Sequence, residues 1–198
     1  MGQYYYPVLS NDGKTNFKAY RAARPGGLKL MEHSWWDVEL PNAVAEKLYR
    51  EPAYLWWMGD YAVDKYRGED GNYYPYPDAD PVLLCAYNAA HGEDAAPEIV
   101  TSPDVFKLDG RVLCNHTRRI FLDCDEYHTA LKGLGEWAEY GWVVHPLPLL
   151  TAVGNGKGGG DYFADSDKES VGSWAGDVIS VENEAPEGYA EVAYSFYE

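Results

Sequence analysis

Apolar and polar positions along this chain cluster and alternate in ways that predict short strands, frequent turns and a few helices. Residues 3–9, Gln-Tyr-Tyr-Tyr-Pro-Val-Leu, read as a strand, 11–14 as a turn and 16–20 as the returning arm of a hairpin. Pro7 suggests an edge position, because proline has no N–H for a ladder. Pro25, Gly26 and Gly27 then break the chain. Over residues 41–50, Val44, Ala45, Leu48 and Tyr49 share one face, which predicts a helix that Pro41 opens and Pro52 stops. Residues 53–59 are apolar on both faces, as a central strand covered on two sides would be. Residues 81–90 fit either a helix or a buried strand, with the helix preferred, between loops at 67–81 and 93–104.

Asp109-Gly110, set between the β-prone stretches 105–108 and 111–115, predicts a type I′ hairpin, and a strand at 119–123 extends it to a meander. Residues 125–133 have acid at their start, Lys132 near their end and Gly133 beyond, the signature of a short helix. Residues 177–182 and 189–196 alternate as half-buried strands, the second closing the domain. The expected fold is α+β: one domain over residues 1–198, a mostly antiparallel sheet and two or three short helices. A length of 198 residues suits one domain.

The stretch that organises the rest is 142–183, two apolar arms around Gly154, Asn155, Gly156, Lys157, Gly158, Gly159 and Gly160. Glycine gives up more backbone freedom on ordering than any other residue, so such a run marks special geometry or close approach. The pattern is not a P-loop, since Gly158 follows Lys157 where Ser or Thr must hold magnesium. It is not a dinucleotide fingerprint either, because residues 161–165 make a poor helix start. An anion nest with Lys157 as counter-charge remains open, although Asp161, Asp165 and Asp167 would repel the anion.

Composition adds aromatic weight: 15% of the chain is Phe, Trp or Tyr, with 18 Tyr and 7 Trp. Trp35-Trp36 and Trp56-Trp57 put one ring on each side of a strand, so at least one of each pair belongs to the core and an exposed partner would anchor an interface. Three cysteines make no disulfide framework. No apolar run reaches membrane-spanning length and the first residues lack a signal-peptide pattern, so a cytoplasmic location and no membrane contact are expected. The formal charge is −16, and residues 120–198 hold 3 basic against 15 acidic side chains. That field repels nucleic-acid phosphates and attracts basic proteins.

Candidate chemistry is sparse. Gly59-Asp60-Tyr61 and Gly160-Asp161-Tyr162 open two G-D-Y-x-x-D segments, and Asp60 with Asp64 and Asp161 with Asp165 could hold a divalent cation if these segments meet. Cys114, His116, Cys124 and His128 are the soft-metal ligand types, at a spacing that matches no usual zinc pattern. The expectation is therefore no cofactor. No G-x-S-x-G elbow occurs. His145, with Asp161 and Asp60, is the catalytic candidate set, and the ordinary role for His145 is a hydrogen-bonded strand histidine.

The run that begins at Gly27, Gly59-Asp-Tyr-Ala, Asn115-His-Thr-Arg-Arg, His145-Pro-Leu-Pro-Leu-Leu-Thr-Ala and the glycine loop with its following Asp-Tyr resemble small hypothetical proteins of gut bacteria and their phages. The resemblance implies a mobile-element accessory protein and no particular activity. The first expectation is a non-enzymatic acidic binding protein, an inhibitor that engages a basic nucleic-acid-binding host protein through Asp161, Asp165, Asp167, Glu169, Glu182, Glu184 and Glu187. The alternative is a small enzyme or sensor that holds a nucleotide or phosphorylated metabolite on the glycine loop.

Overall fold

The strand β3 (Ala53–Gly59) runs through the middle of the sheet because both of its faces are apolar and both are covered. Trp57 and Leu55 point into the larger core, and Trp56 and Met58 into the smaller one on the opposite face. Both tryptophans are buried. A computed structural model describes residues 2–23, 28–69, 72–101 and 106–198. The break expected at 25–27 and the Val105 end of the expected hairpin lie outside the described residues.

The sheet has nine strands. In spatial order they are β11 (Ala190–Glu191), β8 (Ile120–Asp123), β7 (Val112–Asn115), β10 (Val178–Glu182), β3, β1 (Tyr5–Ser10), β2 (Phe17–Ala22) and β6 (Glu98–Val100), with β9 (Ala152–Val153) also paired to β3. Five of its pairings are antiparallel and three parallel. The fold is thus α+β with a mostly antiparallel sheet, as expected. The helix α2 (Glu39–Arg50) packs Leu40, Val44 and Leu48 into the larger core, and α3 (Pro81–His91) packs Ala86 and Ala90 into the smaller. Pro81 and the Asp80 side chain, which accepts from the Val82 and Leu83 N–H groups at 2.8 and 2.9 Å, start α3. Asp123 likewise starts α4 (Cys124–Leu131) by accepting from the Glu126 N–H at 2.9 Å. Two further helices are single turns, α1 (Leu30–His33) and α5 (Pro146–Leu150).

Several local expectations change. β1 is an interior strand rather than an edge. Pro7 lies opposite Trp57, whose N–H turns away to Thr151 O at 2.7 Å, so the proline nitrogen faces the β2 side, where pairing begins only at Val8. Gly110 does turn with φ +68, but residues 106–108 form no strand; β7 hairpins instead with β8 through 116–119. The loop at 67–81 contains part of a two-stranded ribbon, β4 (Lys65–Arg67) with β5 (Tyr73–Pro75), and that at 93–104 contains β6. The closing strand shortens to Ala190–Glu191, parallel to β8, although burial still alternates through Val192, Tyr194 and Phe196. The arm before the glycine loop is α5 and β9 rather than one strand.

Candidate functional site

The glycine loop wraps the start of β1. A Cβ at Gly158 would overlap the Gln3 Cβ and lie 2.7 Å from the Gln3 nitrogen; one at Gly154 would lie 2.7 Å from Gln3 Nε2; one at Gly160 would press on the Lys29 side chain, its Cγ 3.3 Å away. Gly2 and Gly159 form a parallel bridge, and Gly160 O accepts from the Met31 N–H at 2.9 Å. Gly156 and Gly160 need φ of +64 and +87. Close approach thus explains Gly154, Gly158 and Gly160, and positive φ explains Gly156, while Gly159 meets neither demand. Two of the loop's donors are committed: the Lys157 N–H bonds Asn155 Oδ1 and the Gly158 N–H bonds Asp161 Oδ2, each at 2.9 Å.

The two G-D-Y segments do converge, with β1 between them. Gly59 on one side and Gly154 and Gly158 on the other all abut the buried Gln3 side chain. Asp60 Oδ1 accepts from the Tyr4 N–H at 3.0 Å, and its charge reaches both Tyr5 and Asp161. Asp161 is only 4% exposed. Burial, reinforced by Asp60, raises its carboxyl above the usual range, and burial with the charge of Asp161 raises the Tyr5 phenol. Tyr5 donates to Gln3 Oε1 at 3.1 Å, while Asp161 Oδ1 and Gln3 Nε2 are buried without a hydrogen-bond partner. Beside them is a cavity of about 440 Å³.

The remaining candidates do not join this place. His145 is fully buried, accepts from the Leu147 N–H through Nδ1 at 3.2 Å to cap α5, and packs against Trp36. Burial pulls its imidazole down to about 3. It is a structural, neutral side chain, and it does not line the glycine-loop cavity. Cys114 and Cys124 are core thiols, the first pushed up to about 12 by burial. His116 bridges Tyr189 and Ser180 at 2.8 and 2.7 Å, and His128 packs on Trp36. These four residues do not converge, and among the described residues no group of three His, Cys, Asp or Glu side chains could hold a metal ion. No helix among them is long and apolar enough to cross a membrane.

The seven carboxylates expected to form one surface are divided. Asp161 is buried, Asp167 accepts from Ser170 Oγ and the Ser195 N–H, Glu182 accepts from Ser180 Oγ, and Asp165 pairs with Lys168 at 2.9 Å. Glu169 is exposed on a single 3-10 turn, and Glu184 and Glu187 are exposed together on the loop between β10 and β11.

A different surface stands out. Residues 34–36 run beside 143–145: the Trp36 N–H bonds Val143 O at 2.8 Å, and the His145 N–H bonds Ser34 O at 3.0 Å. That pairing sets Trp35 against Trp142, with ring centres 5.2 Å apart. Trp137 stacks on Trp142 at 5.4 Å, and Tyr140 closes on both at 5.7 and 5.8 Å. Trp137, Trp142 and Tyr140 stay 37, 47 and 59% exposed. A cavity of about 690 Å³ opens between these rings, Met31 and Glu198. Glu198 has its carboxyl raised by burial and by the charge of Glu136. Among the described residues no basic side chain pairs with Glu136, Glu139 or Glu198. The signal in the sequence was the run Glu136-Trp-Ala-Glu-Tyr-Gly-Trp142, which has neither helical nor strand period.

No family model, curated protein or solved structure matches this chain.

Proposed function

We propose that this is a non-enzymatic binding protein that docks an arginine- or lysine-bearing segment of a basic partner onto the aromatic cluster of Trp35, Trp137, Tyr140 and Trp142. The observation that carries this reading is the pairing of four mutually packed rings, three of them open to solvent, with carboxylates that have no basic partner of their own. Aromatic faces attract cations, and Trp and Tyr anchor interfaces at low entropic cost. The rim also holds Glu32 and Asp37, whose partners Lys29 and Lys107 are exposed at 3.4 and 3.8 Å and exchange readily with solvent. The formal charge of −16 steers such a partner from a distance. Nucleic-acid-binding proteins are the natural target class, and a bound inhibitor of this kind would cover a surface that the target uses for phosphates.

Tryptophan fluorescence titration with a hexa-arginine peptide tests it. Binding should weaken steeply as salt rises and should fall about 30-fold or more in Trp142→Ala, the loss that corresponds to a hot-spot contribution of about 2 kcal/mol. Glu136→Gln should weaken it less, and the paired change of Glu184 and Glu187 to Gln should leave it unchanged. Binding that ignores salt or survives Trp142→Ala would refute the assignment.

A further inference from the structure

A second cavity lies on the other side of the wall made by α1 and residues 160–161. Gly160 and Met31 face the aromatic cavity, and Asp161 and Leu30 face this one. Its volume is about 440 Å³, within the range of small-molecule sites. Leu30, Ala152, Phe163 and Val171 supply apolar walls, and Tyr5 and Asp161 the polar end.

The chemistry of that end is one-sided. Asp161 Oδ2 is satisfied by the Gly158 N–H, and the Tyr5 hydroxyl bears on the same carboxylate but donates to Gln3 Oε1 at 3.1 Å, so Oδ1 is left without a hydrogen bond although the residue is 4% exposed. A buried carboxylate oxygen without a partner is costly, and native structures hold few of them. Asp60 adds a second negative charge nearby. Lys168 lines the cavity, but its ammonium is held by Asp165 at 2.9 Å, and no basic side chain among the described residues pairs with Asp161. A phosphorylated ligand is the wrong sign for this end, and the loop N–H groups of Lys157 and Gly158 are already committed. Among the described residues no cationic donor reaches Asp161 itself.

We propose that the cavity binds a small organic ammonium compound, its nitrogen donating to Asp161 Oδ1 and its apolar body lying against Leu30, Ala152 and Phe163. Gly154 and Gly156 line the cavity on the exposed stretch 154–157, and Oδ1 itself is sealed, so binding requires a local shift to reach it. This site is separate from the aromatic cluster and does not depend on the function proposed for it.

Calorimetry on the full chain with phenethylamine, N-acetylphenethylamine and phenylacetate is the test, because the three share a phenyl body and differ in charge. Phenethylamine should bind saturably, the neutral amide and the acid should not, and Asp161→Asn should weaken the amine at least tenfold. At ten times its Kd the amine should raise the melting temperature by about 3–6 °C. In ¹⁵N spectra the backbone signals of residues 154–163 should move and the Trp142 indole should not. Trp142→Ala should keep amine binding, which separates this result from the fate of the aromatic docking site. No heat with phenethylamine, equal binding of phenylacetate, undiminished binding by Asp161→Asn, or binding lost in Trp142→Ala would each overturn the proposal. Should Asp161→Asn fail to fold, the three-ligand comparison on the unaltered protein decides.

Discussion

Three glycines within four positions of one loop should respond to the same substitution in three different ways. A methyl at Gly158 would overlap the Gln3 Cβ and sit 2.7 Å from the Gln3 nitrogen and 3.1 Å from its Cα. Neither side yields easily, since β1 is held by the Tyr4–Asp60 hydrogen bonds and Gly158 by Asp161. Overpacking of this kind costs about 1–3 kcal/mol, and backbone partners put Gly158→Ala at the upper end. At Gly159 the nearest atom is Gly2 Cα at 3.9 Å, and the backbone is not left-handed. Gly159→Ala should therefore stabilise the protein by about 0.4–1 kcal/mol, because it narrows only the unfolded ensemble. Gly156 has open space but φ +64, so Gly156→Ala should cost about 1–2 kcal/mol from the left-handed backbone alone. Urea unfolding followed by tryptophan fluorescence, with the slope m unchanged, reads the differences. The gap between Gly158→Ala and Gly159→Ala should be about 3–4 kcal/mol, or about 6–16 °C in melting temperature. Equal stability of these two variants, or the reverse order, would show that the loop does not pack on Gln3.

Acid should destabilise the protein through His145. Its folded value of about 3 lies below the unfolded one, so the folded state binds fewer protons in between, and stability falls as pH drops below about 6.5. The loss should reach about 2 kcal/mol by pH 5, and His145→Asn, which keeps a helix-capping oxygen, should flatten that slope in pH-dependent urea titrations. Asp161 acts in the opposite sense. Its folded carboxyl is raised, so the stability it contributes is full below the unfolded value and is lost as pH rises through the folded one; Asp161→Asn should therefore gain on the unaltered protein between pH 4 and pH 7. Native alkylation with iodoacetamide, followed by mass spectrometry, should label exposed Cys85 and spare Cys114 and Cys124, whose thiols are buried and raised, while all three react after unfolding.

What could be read from the sequence was what is set locally. The apolar run at 53–59 announced the central strand, and Pro41, Pro81 and the acid at Asp125 marked helix starts within two residues of where they occur. What could not be read depends on partners far along the chain. Pro7 looked like an edge residue because nothing nearby shows that β1 is sandwiched between β3 and β2. Asp109-Gly110 turns as its residues demand, but the arm before it found no strand to pair with. The glycine run flagged special geometry, but not that Gln3 and Lys29 pass against Gly154, Gly158 and Gly160. The aromatic cluster escaped notice because Trp35 meets Trp142 only through the pairing of 34–36 with 143–145. Counting carboxylates could not show their local engagements: Asp161 is buried, and half-buried Asp167 and Glu182 accept hydrogen bonds from neighbouring serines.

The bridge between Gly2 and Gly159 also sets a clock on biosynthesis. The tyrosine-rich strand emerges before the glycine loop, and its final covering arrives more than 150 residues later. At ~5–20 residues per second a ribosome needs about 8–30 s to make that stretch, far longer than a hairpin takes to form. Until then β1 and β2 present an unpaired edge on the β3 side and then an uncovered Gln3, which is a template for pairing with other nascent chains. Closing so long a loop also places this protein among slow, high-contact-order folders. The early hairpin therefore has to persist without its final cover while the glycine loop is still being made.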